Sequence, residues 1–244
     1  MIRYIPADPA GNLTAIVLSP VAAQDRAKIA AEMMARCPEG FEQVGFADET
    51  SLTGDLPTLC MMGGEFCGNA TRAFACYAAK VRGRGETRLA VSVSGAREPV
   101  PVAVDLRQNR AYAQMPLPYA LEWISVNKQK IPLVRMEGID HALLLDAVPS
   151  PEAAERVLAA MPKQDARGVL FVQGGKMTPL VEVAATGTRV WESSCGSGTV
   201  ALAWYLAQNL ADGMHAFAFE EPGGRLEASP CGRSAPRRLR WAAR

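Results

Sequence analysis

Histidine is scarce in this chain of 244 residues, and cysteine pairs with metal-ligand spacing are absent. The two histidines, His141 and His215, are too few for a histidine-rich site, and the six cysteines include no Cys-x-x-Cys pair. We therefore predict that the protein binds no metal ion.

Long apolar runs and a leader sequence are also absent. No run reaches the ~18 apolar residues that are needed to span a bilayer. The N-terminal sequence MIRYIP lacks the basic and then apolar order of a signal peptide. These absences favour a cytoplasmic location, in which cysteines remain free thiols. We interpret Cys37, Cys60, Cys76 and Cys231 as small buried apolar side chains.

An excess of charge of either sign is missing as well. The formal net charge is +1, with 49% apolar and 21% charged residues. This balance is typical of a globular protein and gives no reason to expect nucleic acid or an anionic membrane as a partner. The length suits one large domain or two domains of about 120 residues each.

An internal repeat favours two domains. Residues 67–79 (CGNATRAFACYAA) align with residues 195–207 (CGSGTVALAWYLA) after a shift of 128 positions, and the same shift places Gly95 on Gly223. A period of about half the chain indicates a duplicated domain. Since Pro116 and Pro118 interrupt the chain near its middle, we predict an N-terminal half over 1–116 and a C-terminal half over 117–244.

The two halves carry similar patterns of helices and strands. Apolar periodicity predicts helices over 22–36, 69–80, 151–161 and 197–210. Alternating or short apolar runs predict strands over 2–5, 13–18, 40–46, 57–62, 88–94, 100–106, 110–115, 131–136, 142–145, 168–172, 180–184, 215–219 and 225–228. Alternation of Leu239 and Trp241 in the arginine-rich end would fit a last edge strand.

The second helix of each half is apolar nearly all round, which is typical of a helix buried on all sides. We therefore predict an α+β fold of two pseudo-symmetric domains. In each domain a mixed β-sheet or barrel wraps round a central buried helix, and the active site lies in the cleft between the domains.

Each repeat places a cysteine at the start of its central helix, followed by glycine. The first N–H groups of a helix lack internal partners and carry partial positive charge. A thiol at that position is expected to have a pKa lowered to between about 3.5 and 7.5, from about 8.5. The same N–H groups can bind a carboxylate, and Gly68 and Gly196 allow close approach.

Two such helix starts that face each other would suit the racemisation of an amino acid. One thiolate would remove the Cα proton from one face, and the opposite thiol would protonate the other face. The helix N-termini would hold the carboxylate and stabilise the enolate charge. Cys67 and Cys195 are therefore the candidate acid–base pair.

Other interpretations of the cysteine pair stay open. In the first alternative, the protein has no catalytic thiols and the two cysteines are relics of the duplication. In the second, the protein is a thiol switch that binds an amino acid without catalysis, and the two cysteines form a reversible disulfide. A cysteine hydrolase is less consistent with the pattern, because it would leave one cysteine without a role.

These residues resemble the diaminopimelate-epimerase-like racemases, and the resemblance covers nearly the whole chain. It is closest to the histidine racemase branch that makes D-histidine for opine-type metallophores. The segments that carry it are Pro9–Asn12 (PAGN), Glu42–Phe46 (EQVGF), Glu65–Thr71 (EFCGNAT), Gln114–Pro116 (QMP), Trp191–Thr199 (WESSCGSGT) and Pro222–Gly224 (PGG).

The resemblance implies an activity and a set of site residues. It implies a cofactor-independent racemase in which Cys67 and Cys195 are the acid and base. The substrate carboxylate would be bound by Gly68, Asn69, Gly196 and Ser197. Asn12 and Glu42 would lie at the substrate, and Glu192 would pair with its ammonium group. His141 corresponds to an active-site histidine of the parent epimerase, and a structural role is equally compatible with its position.

The chain also departs from the parent epimerase. That enzyme has Glu-Arg-Gly well before its second cysteine, whereas Trp191–Cys195 is shorter and contains no arginine. We therefore expect free histidine as the substrate of a homodimeric enzyme, with an apolar stretch such as 142–145 available for dimerisation. An epimerase of hydroxyproline or diaminopimelate is the alternative.

Overall fold

The computed structural model of the protein describes residues 2–208, 210 and 215–229, and the backbone of residues 239–243. The described helices are α1 (Ala23–Arg36), α2 (Gly68–Val81), α3 (Pro151–Ala160) and α4 (Gly196–Ala207), with a 3-10 turn at Glu49–Ser51. The described strands are β1 (Tyr4–Ala7), β2 (Thr14–Val17), β3 (Gln43–Asp48), β4 (Thr58–Met61), β5 (Glu86–Val93), β6 (Val100–Asp105), β7 (Arg110–Met115), β8 (Ala120–Val126), β9 (Gln129–Arg135), β10 (Asp140–Leu145), β11 (Ala166–Gln173), β12 (Lys176–Val183), β13 (Thr188–Trp191), β14 (Phe217–Glu221), β15 (Gly224–Ser229) and β16 (Leu239–Ala243).

The strands form one mixed sheet. Its order is β1-β2-β3-β4-β5-β6-β7-β16-β15-β14-β12-β11-β10-β9-β8, and β13 pairs with β12. In the first part, α1 connects the parallel pair β2–β3 and α2 connects the parallel pair β4–β5. In the second part, α3 connects the parallel pair β10–β11. Helix α4 comes between β12 and β14 along the chain, and these two strands also pair in parallel. The repeat in the sequence therefore corresponds to a repeated order of elements.

The central helices α2 and α4 lie in the main core, as predicted. Helix α2 packs against β5, β6 and β7, and α4 packs against β10, β14 and β15. Apolar residues such as Phe74 and Leu202 are fully buried in one cluster that contains residues of both helices. The prediction of an α+β fold with a mixed sheet around buried helices is confirmed.

The outer helices begin and pack as their sequences indicate. Helix α3 starts with Pro151 after Ser150, whose side chain accepts a hydrogen bond from the Ala153 N–H. Val157 and Leu158 then pack with Phe171 in a second apolar cluster, on the sheet face opposite α4. Helix α1 buries Ala30 and Met33.

Three expectations need correction. Strand β16 forms, but it lies between β7 and β15 and is not an edge strand. The stretch 142–145 is not an exposed patch, because β10 is an inner strand between β9 and β11 and Ala142 to Leu144 are buried. Strands β8 and β13 were not expected.

The five cysteines among the described residues are free thiols, and Cys37, Cys60 and Cys76 are only partly buried. Cys231 and most of the arginine-rich end lie outside the described residues. Among the described residues, no helix is both long and apolar enough to cross a membrane.

Candidate active site

The two predicted helix starts lie at one cavity of about 470 Å³. Eight of the predicted site residues line it: Glu42, Cys67, Gly68, Asn69, Glu192, Cys195, Gly196 and Ser197. Because residues of both repeats meet there, the cavity depends on how the two halves pack together.

Cys67 and Cys195 occupy equivalent positions in their helices. Each is the residue before the first helical turn, with extended backbone angles of φ −131°, ψ 112° at Cys67 and φ −127°, ψ 105° at Cys195. The threonine of each repeat explains part of this similarity. The hydroxyl of Thr71 donates to the Cys67 carbonyl at 2.7 Å, and that of Thr199 donates to the Cys195 carbonyl at 2.9 Å.

The two thiols have different neighbours. The Cys67 sulfur accepts a hydrogen bond from the Ala70 N–H at 3.4 Å. The Cys195 sulfur lies 3.6 Å from the Ser197 hydroxyl, and its own backbone N–H donates to Glu221 Oε2 at 2.6 Å. Helix geometry leaves the other N–H groups of the first turn available at the cavity wall.

The expectation of lowered thiol pKa values is wrong for this site. Burial raises the pKa of the Cys67 thiol to about 12, and the negative charge of Glu192 adds to the increase. Burial followed by Glu192 also raises the pKa of the Cys195 thiol well above its usual value. The helix N-termini are present, but removal from water next to carboxylates outweighs their effect.

Carboxyl groups dominate the electrostatics of the cavity. Burial raises the pKa of Glu192 to about 8, and Glu42 and Glu65 add to the increase. Burial also raises the pKa of Glu65 to about 6. A cationic ligand would relieve the unfavourable burial of these groups, so the cavity is suited to a molecule with positive charge.

Glu42 belongs to a network that joins the two halves. Its Oε2 accepts hydrogen bonds from Asn12 Nδ2 at 2.6 Å and from the Ser193 N–H at 2.9 Å, and its Oε1 accepts one from the Ser193 hydroxyl. The Asn69 amide donates to the Ser194 carbonyl at 2.9 Å. Glu42 and Asn69 therefore line the cavity while their side chains hold residues 193 and 194 in place.

Asn12 and His141 lie behind the cavity wall. Asn12 is fully buried and contacts Glu42 and Asn69. His141 is also fully buried, and its Nε2 lies 2.9 Å from the Ser197 hydroxyl. Burial lowers the pKa of His141 to about 3, so the ring is neutral near pH 7. Both residues support cavity residues and do not line the cavity themselves.

Paired glycines pack the segments before the two cysteines. A Cβ on Gly95 would lie 2.2 Å from the Phe66 nitrogen, and one on Gly138 would lie 2.8 Å from the same atom. A Cβ on Gly11 would lie 2.4 Å from the Gly223 Cα, and one on Gly223 would lie 2.8 Å from the Ser193 Cβ. Phe66 is thus contacted by a glycine of each half, whereas Ser193 is contacted by Gly223, against which Gly11 of the other half packs.

Sequence reasoning missed several cavity residues. Gln43 forms a hydrogen bond that opposes the rise in the pKa of Cys67, and Glu65 was noted only within a motif. Glu221, which accepts a hydrogen bond from the Cys195 N–H but does not line the cavity, was not noted at all. Proximity to Cys67 in the sequence could have indicated Glu65, whereas no sequence signal distinguishes Glu221 from an exposed strand residue. The remaining apolar wall includes Met62, Phe66, Ile139, Val181, Val183 and Val190.

Comparison with known proteins gives relatives that match most of the chain. The family model described as the histidine racemase CntK N-terminal domain matches residues 1–234. A histidine racemase from Fusobacterium nucleatum subsp. nucleatum is 30% identical over 242 residues, covering 93% of this chain and 88% of the relative. A histidine racemase from Staphylococcus aureus (strain Mu50) is 26% identical over 239 residues, covering 93% of this chain and 87% of the relative.

Solved structures share the fold at low identity. A protein described as a probable proline racemase from Agrobacterium radiobacter K84 superposes with a TM-score of 0.69 at 15% identity, covering 100% of this chain and 90% of that one. A hydroxyproline epimerase from Agrobacterium vitis gives a TM-score of 0.66 at 12% identity, with coverages of 100% and 89%. These likenesses agree with the predicted fold class.

Proposed function

Since this chain belongs to the family of the histidine racemase CntK N-terminal domain, we propose that it interconverts L- and D-histidine in the cavity between Cys67 and Cys195. The sequence-based prediction of an amino-acid racemase is confirmed by the family match and by the two histidine racemases described above. The assignment of histidine to this chain and the roles of its residues are our proposal. The placement of two equivalent helix-start cysteines at one cavity is the observation that supports it most directly.

In the proposed reaction the two sulfurs act on opposite faces of Cα. One cysteine, as thiolate, takes the Cα proton and becomes a thiol. The electron pair of the broken C–H bond delocalises into the carboxylate. The other cysteine, as thiol, gives its proton to the opposite face of Cα and becomes the thiolate. The reverse reaction starts from that state, so two matched sulfurs serve both directions.

The starts of α2 and α4 are suited to bind the substrate carboxylate. The backbone N–H groups of Gly68, Asn69, Gly196 and Ser197 are at the cavity wall, in the first turns of two helices. These donors would stabilise the negative charge that grows on the carboxylate oxygens when the Cα proton leaves. Asn69 and Ser197 would act through their backbone, since their side chains are engaged with Ser194 and His141.

Glu192 is the proposed partner of the substrate ammonium group. With its pKa raised to about 8 by burial, Glu192 is largely protonated near pH 7 before substrate binds, and its ionised form raises the pKa of both thiols. The ammonium group would favour the ionised form of Glu192. A bound ammonium group would offset that charge and so lower the pKa of both thiols. Binding of the substrate would therefore favour formation of the thiolate that the reaction needs.

His141 is proposed to position Ser197. Its Nδ1 is buried without a hydrogen-bond partner in the described structure, and its pKa is lowered to about 3. A neutral ring has one N–H, and an unpartnered buried donor is rarer than an unpartnered acceptor. We infer that Nε2–H donates to the Ser197 hydroxyl, which leaves the hydroxyl hydrogen free to point at the Cys195 sulfur.

The experiment that tests the function is proton NMR in D2O with reduced enzyme and no added cofactor. We expect the Cα proton signal of L-histidine to disappear while D-histidine forms. Exchange with hydroxyproline, proline or diaminopimelate and not with histidine would overturn the substrate and keep the chemistry. Binding of amino acids without any Cα exchange would instead support the non-catalytic, thiol-switch interpretation.

Serine variants test the two cysteine roles. Cys67→Ser and Cys195→Ser should each lower racemisation by about 10³-fold, because a positioned acid or base contributes about 10²–10⁴-fold. Each variant should still exchange the Cα proton of one enantiomer through its remaining thiol. Cys37→Ser is the matched control, since Cys37 is a partly buried free thiol that does not line the cavity. Full racemase activity in both active-site variants would exclude the two-thiol mechanism.

The homodimer, the cytoplasmic location and the division at residue 116 stay predictions. Sedimentation equilibrium of the purified chain would test the first of them.

A further inference from the structure

We propose that Glu65 selects the side chain of the substrate by accepting a hydrogen bond from the imidazole N–H. This inference rests on the proposed histidine racemase function and assigns a specificity-determining residue within the same cavity.

The position of Glu65 fits a ligand-binding carboxylate. It lies two residues before Cys67, lines the cavity and is only 5% exposed. Its Oε2 accepts a hydrogen bond from the Gly63 N–H at 2.8 Å, and the backbone N–H of Glu65 itself also donates to the carboxyl group. The two oxygens of a carboxylate have about four acceptor sites, so acceptor capacity remains for a ligand. The negative charge of Asp165 adds to the rise in the pKa of Glu65 that burial causes. A buried carboxylate of this kind is unfavourable unless a donor meets it.

The other two cavity carboxylates are assigned to different tasks. Glu42 accepts three hydrogen bonds from Asn12 and Ser193. Glu192 raises the pKa of both thiols, so it lies near the point between them where Cα must be. The ammonium group is bonded to Cα, and Glu192 is therefore its natural partner.

Glu65 lies toward one side of that point. It contributes to the raised pKa of Cys67 but is not among the causes for Cys195. Its Oε2 also lies close to Gly63, where an added Cβ would meet Val183. The apolar residues Val183 and Ile139 line the same cavity and could pack against a ring. The side chain of an amino acid with its Cα between the sulfurs can extend toward this carboxylate.

The chemistry of histidine matches this arrangement. The substrate carries two basic groups, the ammonium and the imidazole. Glu192 and Glu65 are the two cavity carboxyl groups that are not held by the Asn12 and Ser193 donors of Glu42. The pKa of Glu65, raised to about 6 by burial, leaves it largely ionised at pH 7. The Glu65 carboxylate can then accept a hydrogen bond from the N–H of a neutral imidazole or form an ion pair with an imidazolium. A ring of the same size without N–H would leave the carboxylate without a partner.

The test compares histidine with β-(2-thienyl)alanine, whose five-membered ring has no N–H. Cα proton exchange in D2O gives kcat/KM for both compounds on the same enzyme. The wild-type chain should prefer histidine by at least about 10²-fold, because sites built to bind a polar hydrogen discriminate strongly against analogues that lack it. In Glu65→Met the preference should fall to about tenfold or less, with exchange of the thienyl compound retained or increased.

Three further variants separate recognition from folding. Glu65→Gln keeps an acceptor and should retain an intermediate preference. Gly63→Ala places a Cβ 2.9 Å from Glu65 Oε2 and 2.4 Å from Val183 Cγ1. It should therefore lower kcat/KM for histidine more than kcat/KM for the thienyl compound. Glu182→Met is the matched control: Glu182 is a largely buried carboxylate outside the cavity, and its replacement should leave the preference unchanged.

The outcomes distinguish the two proposals. If the wild-type chain racemises histidine and Glu65→Met keeps the full preference, Glu65 does not select the side chain and the proposed function stands. If Glu65→Met does not fold, the preference measured in Glu65→Gln and Gly63→Ala decides in the same way. A wild-type chain that exchanges no histidine overturns the proposed function and with it the basis of this inference.

Discussion

At the scale of single residues, the hydrogen bonds around Glu221 indicate a neutral carboxylic acid. The Thr199 hydroxyl lies 2.6 Å from Glu221 Oε1 and 2.9 Å from the Cys195 carbonyl, yet it has one hydrogen to donate. If that hydrogen goes to the carbonyl, Glu221 must supply the hydrogen between Oε1 and Thr199. Burial raises the pKa of Glu221 to about 8, in agreement with this arrangement. The start of α4 is therefore held by a protonated carboxyl group near pH 7.

This assignment predicts a pH dependence of stability. The pKa of a glutamate in the unfolded chain is about 4.3, so between about pH 5 and pH 8 the folded protein holds the Glu221 proton more tightly. The free energy of unfolding should then fall as the pH rises through this window. Glu221→Gln keeps one acceptor and one donor group but cannot ionise. Its Tm should therefore fall less than that of the wild type between pH 5.5 and pH 8.5, as measured by calorimetry.

Glu220→Gln is the control for this measurement. Glu220 is the preceding residue on β14, but it is exposed, so its replacement should leave the pH dependence of Tm unchanged. Equal slopes for Glu221→Gln and the wild type would show that Glu221 is ionised in the folded protein.

The roles of the carboxyl groups in and next to the cavity could be predicted only in part. Glu42 and Glu192 were identified through motifs, whereas Glu65 and Glu221 were not assigned. The burial of a carboxylate depends on residues from distant segments: Glu221 contacts Cys195, and Glu42 contacts Ser193. The incorrect expectation for the thiol pKa values has the same origin. The helix start is visible in the sequence, and the carboxylates that gather around it are not.

At the scale of elements, close backbone contacts between turns fix the segments that carry the site. Gly11 has φ +81° and lies against Gly223, which in turn donates its N–H to the Ser193 carbonyl at 2.6 Å. Ser193 binds Glu42 and follows Glu192 in the chain. A displacement of the Gly11 turn would therefore move the proposed ammonium partner.

Gly11→Ala should consequently lower activity far more than backbone strain alone would. The new Cβ would lie 2.4 Å from the Gly223 Cα, so a turn must shift. A misplacement of about 1 Å can lower a rate by about 10²-fold, and we expect a loss of kcat/KM of about that size for histidine racemisation. Gly40→Ala is the matched control, because Gly40 also has a positive φ, +73°, but no atom lies within 4 Å of its added Cβ.

The control should show only the destabilisation of about 1–2 kcal/mol that a left-handed backbone conformation causes at a residue other than glycine. It should lower Tm slightly and leave kcat/KM nearly unchanged. If both variants lose the same activity, the contact with Gly223 does not position the site.

At the scale of the whole molecule, the repeat accounts for most of what the sequence could predict. The shift of 128 residues aligns the start of α2 with that of α4, and that of α1 with that of α3. It also places β7 on residues 238–243, which include β16. The partner strands of β16 could not be predicted, because alternation in one segment does not state which edges it joins. Strand β8 follows the boundary at Pro116 and Pro118 and lies in a stretch for which no element was predicted, and β13 is only four residues long.

Strand β16 is the connection through which the sheet continues from β7 to β15. It pairs antiparallel with both, with Arg240 opposite Gln114 and Ala242 opposite Glu227. A strand with two neighbours uses its N–H groups in ladders on both sides, and proline removes one of them. Without β16 the edges of β7 and β15 would be open to pairing with other chains.

Ala242→Pro should therefore destabilise the molecule as a whole. We expect Tm to fall by about 5–10 °C, since roughly 2–4 °C corresponds to 1 kcal/mol for a chain of this size. We also expect self-association beyond that of the wild type, measured by sedimentation velocity. Ala242→Ser keeps the backbone N–H and is the matched control. If the proline and serine variants unfold at the same temperature, the ladder between β16 and its two neighbours contributes little to holding the two halves together.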